Sequence, residues 1–95
     1  MAAYFVMIRE ETTDAEALAE YGPKASLAAQ SHPLEPLAIY GAIDQREGAA
    51  IEGAVIIAFP DMVSARAWYD SPAYQAAAKF RHAGSRSRAF FIEGV

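Results

Sequence analysis

The residues best suited to proton transfer or metal binding are the two histidines, which lie fifty residues apart. His32 precedes a proline in an expected loop, and His82 lies among basic residues near the end of the chain. A metal site needs several converging ligands, and neither histidine has a partner at metal-binding spacing. We therefore expect no metal site and no cofactor, haem included. His32 is a weak candidate for a general base at a pocket mouth, and the alternative is a half-exposed loop residue.

Aromatic side chains are concentrated in one segment, FPDMVSARAWYDSPAY at residues 59–74, which holds the only tryptophan. Trp68 and Tyr69 are neighbours on an expected helix and point about 100° apart. Trp68 is expected to pack in the core, whereas buried hydroxyls of Tyr69 and Tyr74 would need hydrogen-bond partners. A small-molecule cavity is the functional interpretation, and simple core packing is the alternative. The candidate ligand-binding aromatic residues are Tyr21, Tyr40, Trp68, Tyr69 and Tyr74.

The charges are unevenly distributed along a chain whose net charge is -4. Acidic residues crowd the first quarter, and basic residues crowd the end. This pattern is typical of two solvated faces of opposite sign, and an anion-binding mouth at the basic end is the alternative. Arg81 is the candidate there, since its planar set of donors could hold a carboxylate ligand. A salt bridge from Arg81 to an acid of the first helix is the competing expectation. Nucleic-acid binding is disfavoured because the balance is acidic and no recognition motif is present.

The sequence lacks the compact motifs that indicate common enzyme classes. It has no nucleophile elbow, no phosphate-binding glycine loop and no carboxylate pair in a supporting context. It has no cysteine, which excludes disulfides and thiolate chemistry. Any catalysis is therefore expected to need no cofactor, as in oxygenation or isomerisation of an activated aromatic or enolisable substrate.

Length and composition predict a single domain spanning residues 1–95. The hydrophobic share of 54% exceeds what one small core needs, and the surplus is expected at a subunit interface. The start of the chain lacks the shape of a signal peptide, and no apolar run approaches the roughly 20 residues of a membrane span. We therefore expect a cytoplasmic homodimer with no membrane partner.

The first half of the chain contains a predicted helix between predicted strands. The strands are expected over residues 4–9, 37–43 and 54–59. Thr13 to Glu16 fits a capping box, in which the threonine hydroxyl accepts from the backbone N–H three residues on. The helix is expected to be kinked at Pro23 rather than ended there, because its apolar stripe keeps its phase, and to end near Ser31. That stripe is Leu18, Tyr21, Ala25 and Ala28.

Two helix-start signals follow the third strand. Asp61 is a good N-cap for a helix over 62–69, and Ser71 followed by Pro72 repeats the signal for a second helix. The second helix is expected to end at Gly84, before a last strand over 88–93. The predicted inward faces are Met62, Ala65, Trp68 and Tyr69 on the first helix, and Ala73, Ala76, Ala77 and Phe80 on the second.

The order β-α-β-β-α-β predicts an α+β, ferredoxin-like fold, with a four-stranded antiparallel sheet and helices on one face. The first and third strands are apolar on both faces. One chain has nothing left to cover the second face of the sheet, so a second copy is expected to pair there, sheet to sheet.

The placed elements carry a family resemblance. The chain resembles the DUF1330 family in Phe59-Pro60, in the run from Ala65 to Pro72, in Tyr74-Gln75 and in the ending Ile92-Glu93-Gly94-Val95. Asp14 with Tyr21, Glu47-Gly48 and Arg81 also match the pattern. The resemblance implies a dimeric α/β barrel, in a superfamily that includes cofactor-free monooxygenases, isomerases, haem proteins and ligand-sensing domains, so fold does not choose the function.

The chain differs from the family pattern at three positions that could have been polar. Tyr40 lies where relatives often have arginine, and Ala49 and Ala58 lie where they often have acids. A pocket near Tyr40 is therefore expected to be aromatic rather than charged.

Two functions remain open on the sequence. The first is a module that binds a small, largely apolar or carboxylate-bearing molecule, or converts it without a cofactor. The second is a non-catalytic dimeric structural or ligand-sensing module whose interior is filled by its own side chains. A cavity of roughly 300 Å³ or more that contains a polar group would favour the first.

Overall fold

The computed structural model describes all 95 residues in seven elements. They are, in chain order, β1 (Ala3–Thr12), α1 (Ala15–Ala29), β2 (Glu35–Ile39), β3 (Gly53–Phe59), α2 (Met62–Tyr69), α3 (Pro72–Gly84) and β4 (Ser85–Glu93). The strands form one sheet in the order β2-β3-β1-β4, and every neighbouring pair is antiparallel. This is the expected ferredoxin-like α+β fold. No helix combines the length and the apolar character needed to cross a membrane.

The core lies between the three helices and one face of the sheet. Alternate residues of β1 point into it, and Phe5 and Met7 are almost fully buried. The Phe5 ring packs edge-on against Trp68 with ring centroids 5.0 Å apart. Trp68 is 2% exposed, which confirms its predicted place in the core.

The helix starts are set by side-chain caps. Asp61 Oδ1 accepts from the Ser64 N–H, and Ser71 Oγ accepts from the Tyr74 N–H, as predicted. The predicted capping box on Thr13 is wrong, because the Asp14 carboxylate accepts from the next free N–H groups of α1 instead. The Thr13 hydroxyl donates to the Ala83 carbonyl oxygen.

The first helix and the flanking strands differ from the predicted bounds. Helix α1 runs through Pro23, as predicted, and ends at Ala29, two residues before Ser31. Strand β2 starts earlier than predicted. It also ends earlier, because Tyr40 has φ +51° and leaves the extended conformation. Strand β4 starts at Ser85, directly after α3.

The buried face of α3 was predicted in the wrong phase. Of the four expected residues only Ala77 is buried, whereas Ala73 and Ala76 are exposed and Phe80 is half-buried. The large Tyr74 ring sets the phase by packing against Trp68, with centroids 4.2 Å apart. The buried residues are Tyr74, Ala77, Ala78, Arg81 and Gly84.

Helices α1 and α3 approach closely at Gly84. A Cβ added there would lie 2.5 Å from the backbone nitrogen of Leu18 and 2.8 Å from the Asp14 carbonyl oxygen. The Gly84 carbonyl accepts from the Thr13 and Asp14 N–H groups. This contact brings the inner stripe of α1 against the inner face of α3.

The second face of the sheet is apolar and uncovered in the single chain. Val6 of β1 is paired with Ile56 of β3 on one side and with Phe90 of β4 on the other. Phe90 is 48% exposed and Ile92 is 53% exposed. The expectation that this face needs a cover therefore holds for the monomer.

The acidic and basic ends of the chain meet within one molecule. Glu10 pairs with Arg88 at 2.7 Å and with Arg86 at 3.2 Å, and Arg86 also pairs with Glu11 at 2.9 Å. Most of these side chains are well exposed, so each pair contributes little to stability. Four of the unevenly distributed charges, Glu10, Glu11, Arg86 and Arg88, thus form a ladder of ion pairs between β1 and β4.

Candidate functional site

A cavity of about 200 Å³ lies between α1, β2 and the inner face of the sheet. Small residues on the facing side of α1, among them Gly22, Ala25 and Ala29, leave this space open. Most of the wall is apolar, and it includes Phe5, Met7, Leu34, Val55 and Ile57. The volume is below the roughly 300 Å³ that would have favoured ligand binding over a filled interior, so this cavity does not meet that expectation. An occupant would have to be small.

Tyr21 forms part of the cavity wall from the inner stripe of α1. Its hydroxyl lies 2.8 Å from the hydroxyl of Tyr74 on α3, and the two rings meet edge-on. Burial, reinforced by the neighbouring Tyr74, raises the pKa of Tyr21 far above its ordinary value. The phenol is therefore protonated at physiological pH and can act as a hydrogen-bond donor.

Tyr40 lines the cavity from the end of β2. Its left-handed backbone turns the chain while its N–H still donates to the Ala54 carbonyl at 3.0 Å. The ring packs over Gly53, where an added Cβ would lie 2.7 Å from the ring carbon Cδ1. Burial raises the pKa of Tyr40, and the nearby Arg9 opposes this in part.

Arg9 lies over the Tyr40 ring, with its guanidinium carbon 4.8 Å from the ring centroid. Such a cation–π contact contributes about 0.5–2 kcal/mol. The Arg9 side chain is fixed by Glu52, whose carboxylate lies 3.1 Å from Nε. Glu52 in turn accepts from the Thr12 hydroxyl and N–H, and these bonds lower the pKa of Glu52. The arginine is thus held against the tyrosine by a chain of hydrogen bonds.

Arg81 is buried behind Tyr21, on the inner face of α3. Its residue surface is 2% exposed, and its guanidinium carbon lies 5.6 Å from the Tyr21 ring centroid. One guanidinium nitrogen, Nη1, donates to Ser87 Oγ at 2.8 Å, whereas Nε and Nη2 are buried with no protein acceptor. Arginine stays charged in proteins. The molecule therefore holds a buried positive charge whose hydrogen-bonding capacity is only partly used.

The predicted salt bridge from Arg81 to an acid of the first helix is wrong. No carboxylate lies within ion-pair distance of Arg81. The reason is the orientation of α1, which turns Glu16 and Glu20 to solvent, where Glu20 pairs with Lys24.

The structure groups only some of the predicted site residues. Tyr21, Tyr40 and Trp68 line the cavity, and the Trp68 indole N–H is buried without an acceptor. Tyr74 and Arg81 lie behind Tyr21 as its supports. Tyr69 packs on the aromatic core and His32 belongs to the loop after α1, and neither lines the cavity.

Sequence reasoning missed two residues of this cluster, Arg9 and Ser87. They face each other in the β1–β4 register, so Arg9 above Tyr40 and the Ser87 partner of Arg81 are strand neighbours. The inward direction of Arg9 could have been predicted from the sequence, because Arg9 continues the alternation of Phe5 and Met7 toward the inner face of the sheet.

A second, shallower depression of about 470 Å³ lies at the edge of the outer sheet face. Tyr4, Leu37, Ala58 and Pro60 contribute to its wall. Its lining includes one charged residue, Glu35. No group of three or more histidine, aspartate or glutamate side chains is placed to hold a metal ion.

The comparisons with known proteins give a family and a fold. Residues 2–95 match the sequence profile of the family described as "Domain of unknown function (DUF1330)". No curated protein is similar enough in sequence to count as a relative.

Several solved structures share the fold. RPA0582 from Rhodopseudomonas palustris, a protein of unknown function, superposes with a TM-score of 0.74 at 18% identity, over 99% of this chain and 82% of its own. A dimeric ferredoxin-like protein of unknown function from Thermobifida fusca superposes with a TM-score of 0.67 at 17% identity, over 97% of this chain and 90% of its own. SnoaB, a cofactor-independent oxygenase from Streptomyces nogalater, superposes with a TM-score of 0.61 at 12% identity, over 99% of this chain and 92% of its own. At these identities the similarity shows the fold alone.

Proposed function

We propose, given that this chain belongs to the DUF1330 family of unknown function, that it is a binding module for a small, largely apolar molecule. The observation that carries the proposal is the cavity between α1, β2 and the sheet, which is apolar on most sides and has Tyr21 and Tyr40 among its lining residues. Ligand sites in proteins are typically of this kind, apolar with a few placed polar groups.

The cavity volume limits the size of the ligand. An engineered apolar cavity of about 150 Å³ binds benzene. The 200 Å³ available here would accept one six-membered ring with a short substituent. The volume is too small for an extended polycyclic molecule unless α1 or β2 moves.

Binding without turnover is favoured by the groups that line the cavity. Tyr21 and Tyr40 are its titratable lining residues, and the pKa of each is raised. Neither can take a proton from a substrate at neutral pH. Cofactor-free oxygenation, the activity named for SnoaB, is the competing proposal, and oxygen consumption in the presence of a bound phenol would support it.

We infer that the functional unit is a homodimer that pairs through the outer face of the sheet. Solved structures of this fold are described as dimeric. Here Ile56, Phe90 and Ile92 leave a third or more of their surfaces exposed, at the centre and on one side of that face. A second copy would bury these side chains and the shallow depression beside Tyr4.

A titration monitored by Trp68 fluorescence tests the binding proposal, because Trp68 lines the cavity and is the only tryptophan. We expect benzyl alcohol, as the probe, to change the emission saturably and to raise the Tm. Ala25→Leu fills the cavity from α1 and should abolish both effects. Ala19→Leu makes the same change on the exposed side of α1 and should preserve them. Equal responses of the two variants, or no response of the wild type, would refute the proposal.

A further inference from the structure

We propose that the tyrosine end of the cavity is an oxyanion subsite, so that the natural ligand is a carboxylate carried on a small apolar ring. This inference rests on the proposed binding function and specifies its ligand class. The geometry behind it is the pairing of each cavity-lining tyrosine with an arginine guanidinium, Arg81 behind Tyr21 and Arg9 over Tyr40.

The local charge balance favours an anion. Arg9 is neutralised by Glu52, but Arg81 has no acidic partner, so the cluster carries one uncompensated positive charge. A buried charge that lacks a partner is costly, and its field is weakly screened by solvent. An anion in the adjoining cavity would relieve this cost.

The donors needed to hold the anion are also present. Tyr21 and Tyr74 share one hydroxyl–hydroxyl hydrogen bond of 2.8 Å, in which either can be the donor. When Tyr74 donates, the Tyr21 proton is free for a ligand oxygen. Tyr40 lines the same wall, and its side-chain partner Arg9 can only donate to it, so the Tyr40 proton is a second donor for a ligand oxygen. Hydrogen bonds to a charged acceptor are the stronger kind.

The rest of the wall selects what carries the carboxylate. Phe5, Met7, Val55 and Ile57 offer only apolar surface on the sheet side. A benzoate-sized molecule would therefore place its ring against the sheet and its carboxylate at the tyrosines. Polar dianions such as phosphate find no such complement, because no basic residue lines the wall and most of it is apolar.

Benzoate and benzamide are the probes, since they have the same shape and differ in charge. We expect benzoate to bind at least roughly tenfold more tightly, as for hydrogen bonds to a charged group. Arg81→Met should remove most of this preference while benzamide binding stays within about twofold, and Arg81→Lys should restore part of it. Arg66→Met, an exposed arginine on α2, is the matched control and should leave both affinities unchanged.

Tyr40→Phe tests the donor role independently of Arg81. It should weaken benzoate binding severalfold and leave the affinity for benzamide nearly unchanged. Tyr69→Phe, outside the cavity, should change neither affinity. Equal binding of the two probes to the wild type would overturn the oxyanion subsite and leave the binding function standing. Failure of both probes and of benzyl alcohol to bind would overturn the binding function itself.

Discussion

Replacing Arg81 with methionine should stabilise the unliganded protein. Arg81 is 2% exposed over the whole residue, has no acidic partner, and has two guanidinium nitrogens, Nε and Nη2, without a protein acceptor. Each unsatisfied buried donor costs about 1–3 kcal/mol, more for a charged group. Methionine keeps much of the side-chain volume. It gives up the hydrogen bond to Ser87, worth about 1.5–3 kcal/mol, and the cation–π contact with the Tyr21 ring, worth about 0.5–2 kcal/mol. Replacing buried charged groups by apolar residues of similar volume has been neutral or stabilising by about 1–4 kcal/mol.

The assay is thermal unfolding at one fixed protomer concentration, because dimer stability depends on concentration. For a domain of this size 1 kcal/mol corresponds to about 4–8 °C in Tm. We expect Arg81→Met to raise Tm by several degrees, and Arg66→Met to leave it nearly unchanged, since surface substitutions usually stay within about 0.5 kcal/mol. A fall of several degrees in Arg81→Met alone would refute the reasoning, because it would show that Arg81 holds the fold together.

Three further perturbations test other parts of the structure. Gly84→Ala should destabilise by about 1–3 kcal/mol, read from urea unfolding, because the new Cβ would meet backbone atoms of α1 at 2.5 Å; unchanged stability would contradict that packing. Phe90→Lys should yield monomers of about 10.3 kDa by analytical ultracentrifugation; an intact dimer would place the interface elsewhere. Glu52 has a lowered pKa, so it contributes stability above its ordinary value of 4.5 that is lost as pH falls through the folded value. Glu52→Gln should therefore flatten the acid limb of the stability–pH profile below pH 4.5, and an unchanged profile would refute this role.

The parts of the fold that sequence reasoning predicted correctly depend on local chemistry. Asp61 and Ser71 with Pro72 start α2 and α3 because their side chains satisfy N–H groups only a few residues away. The apolar stripe of α2 likewise follows from its spacing, with Ala65 and Trp68 buried. Such features need no knowledge of the rest of the chain.

The wrong predictions depend on contacts between distant segments. Alanines lie on both the exposed and the buried sides of α3, so they do not by themselves mark its inner face. The inner face is chosen by Tyr74 packing on Trp68 and by Gly84 meeting α1. The end of β2 depends on Tyr40 leaving the extended conformation to pack its ring over Gly53 and under Arg9. Neither choice is encoded in the neighbouring residues.

The candidate site was predicted as a set of side chains but not as an arrangement. The sequence indicated Tyr21, Tyr40 and Trp68 as lining residues, and the structure puts all three around one cavity. It also indicated Arg81, but with an acidic partner that the structure does not provide. The inward direction of Arg9 could be predicted from the β1 alternation, but its contact with Tyr40 could not, because it depends on the turn that follows β2. The register of the strands, which the sequence alone left open, decides which charges meet.

A crystal structure of the protein soaked with 4-bromobenzoate tests the central claim most directly, because the bromine locates the ring by its anomalous signal. The account predicts the bromine toward the sheet side of the cavity, near Met7 or Val55, and the carboxylate within hydrogen-bond distance of Tyr21 or Tyr40. A ligand bound with its carboxylate facing solvent, or a cavity with no anomalous peak at saturating concentration, would contradict it.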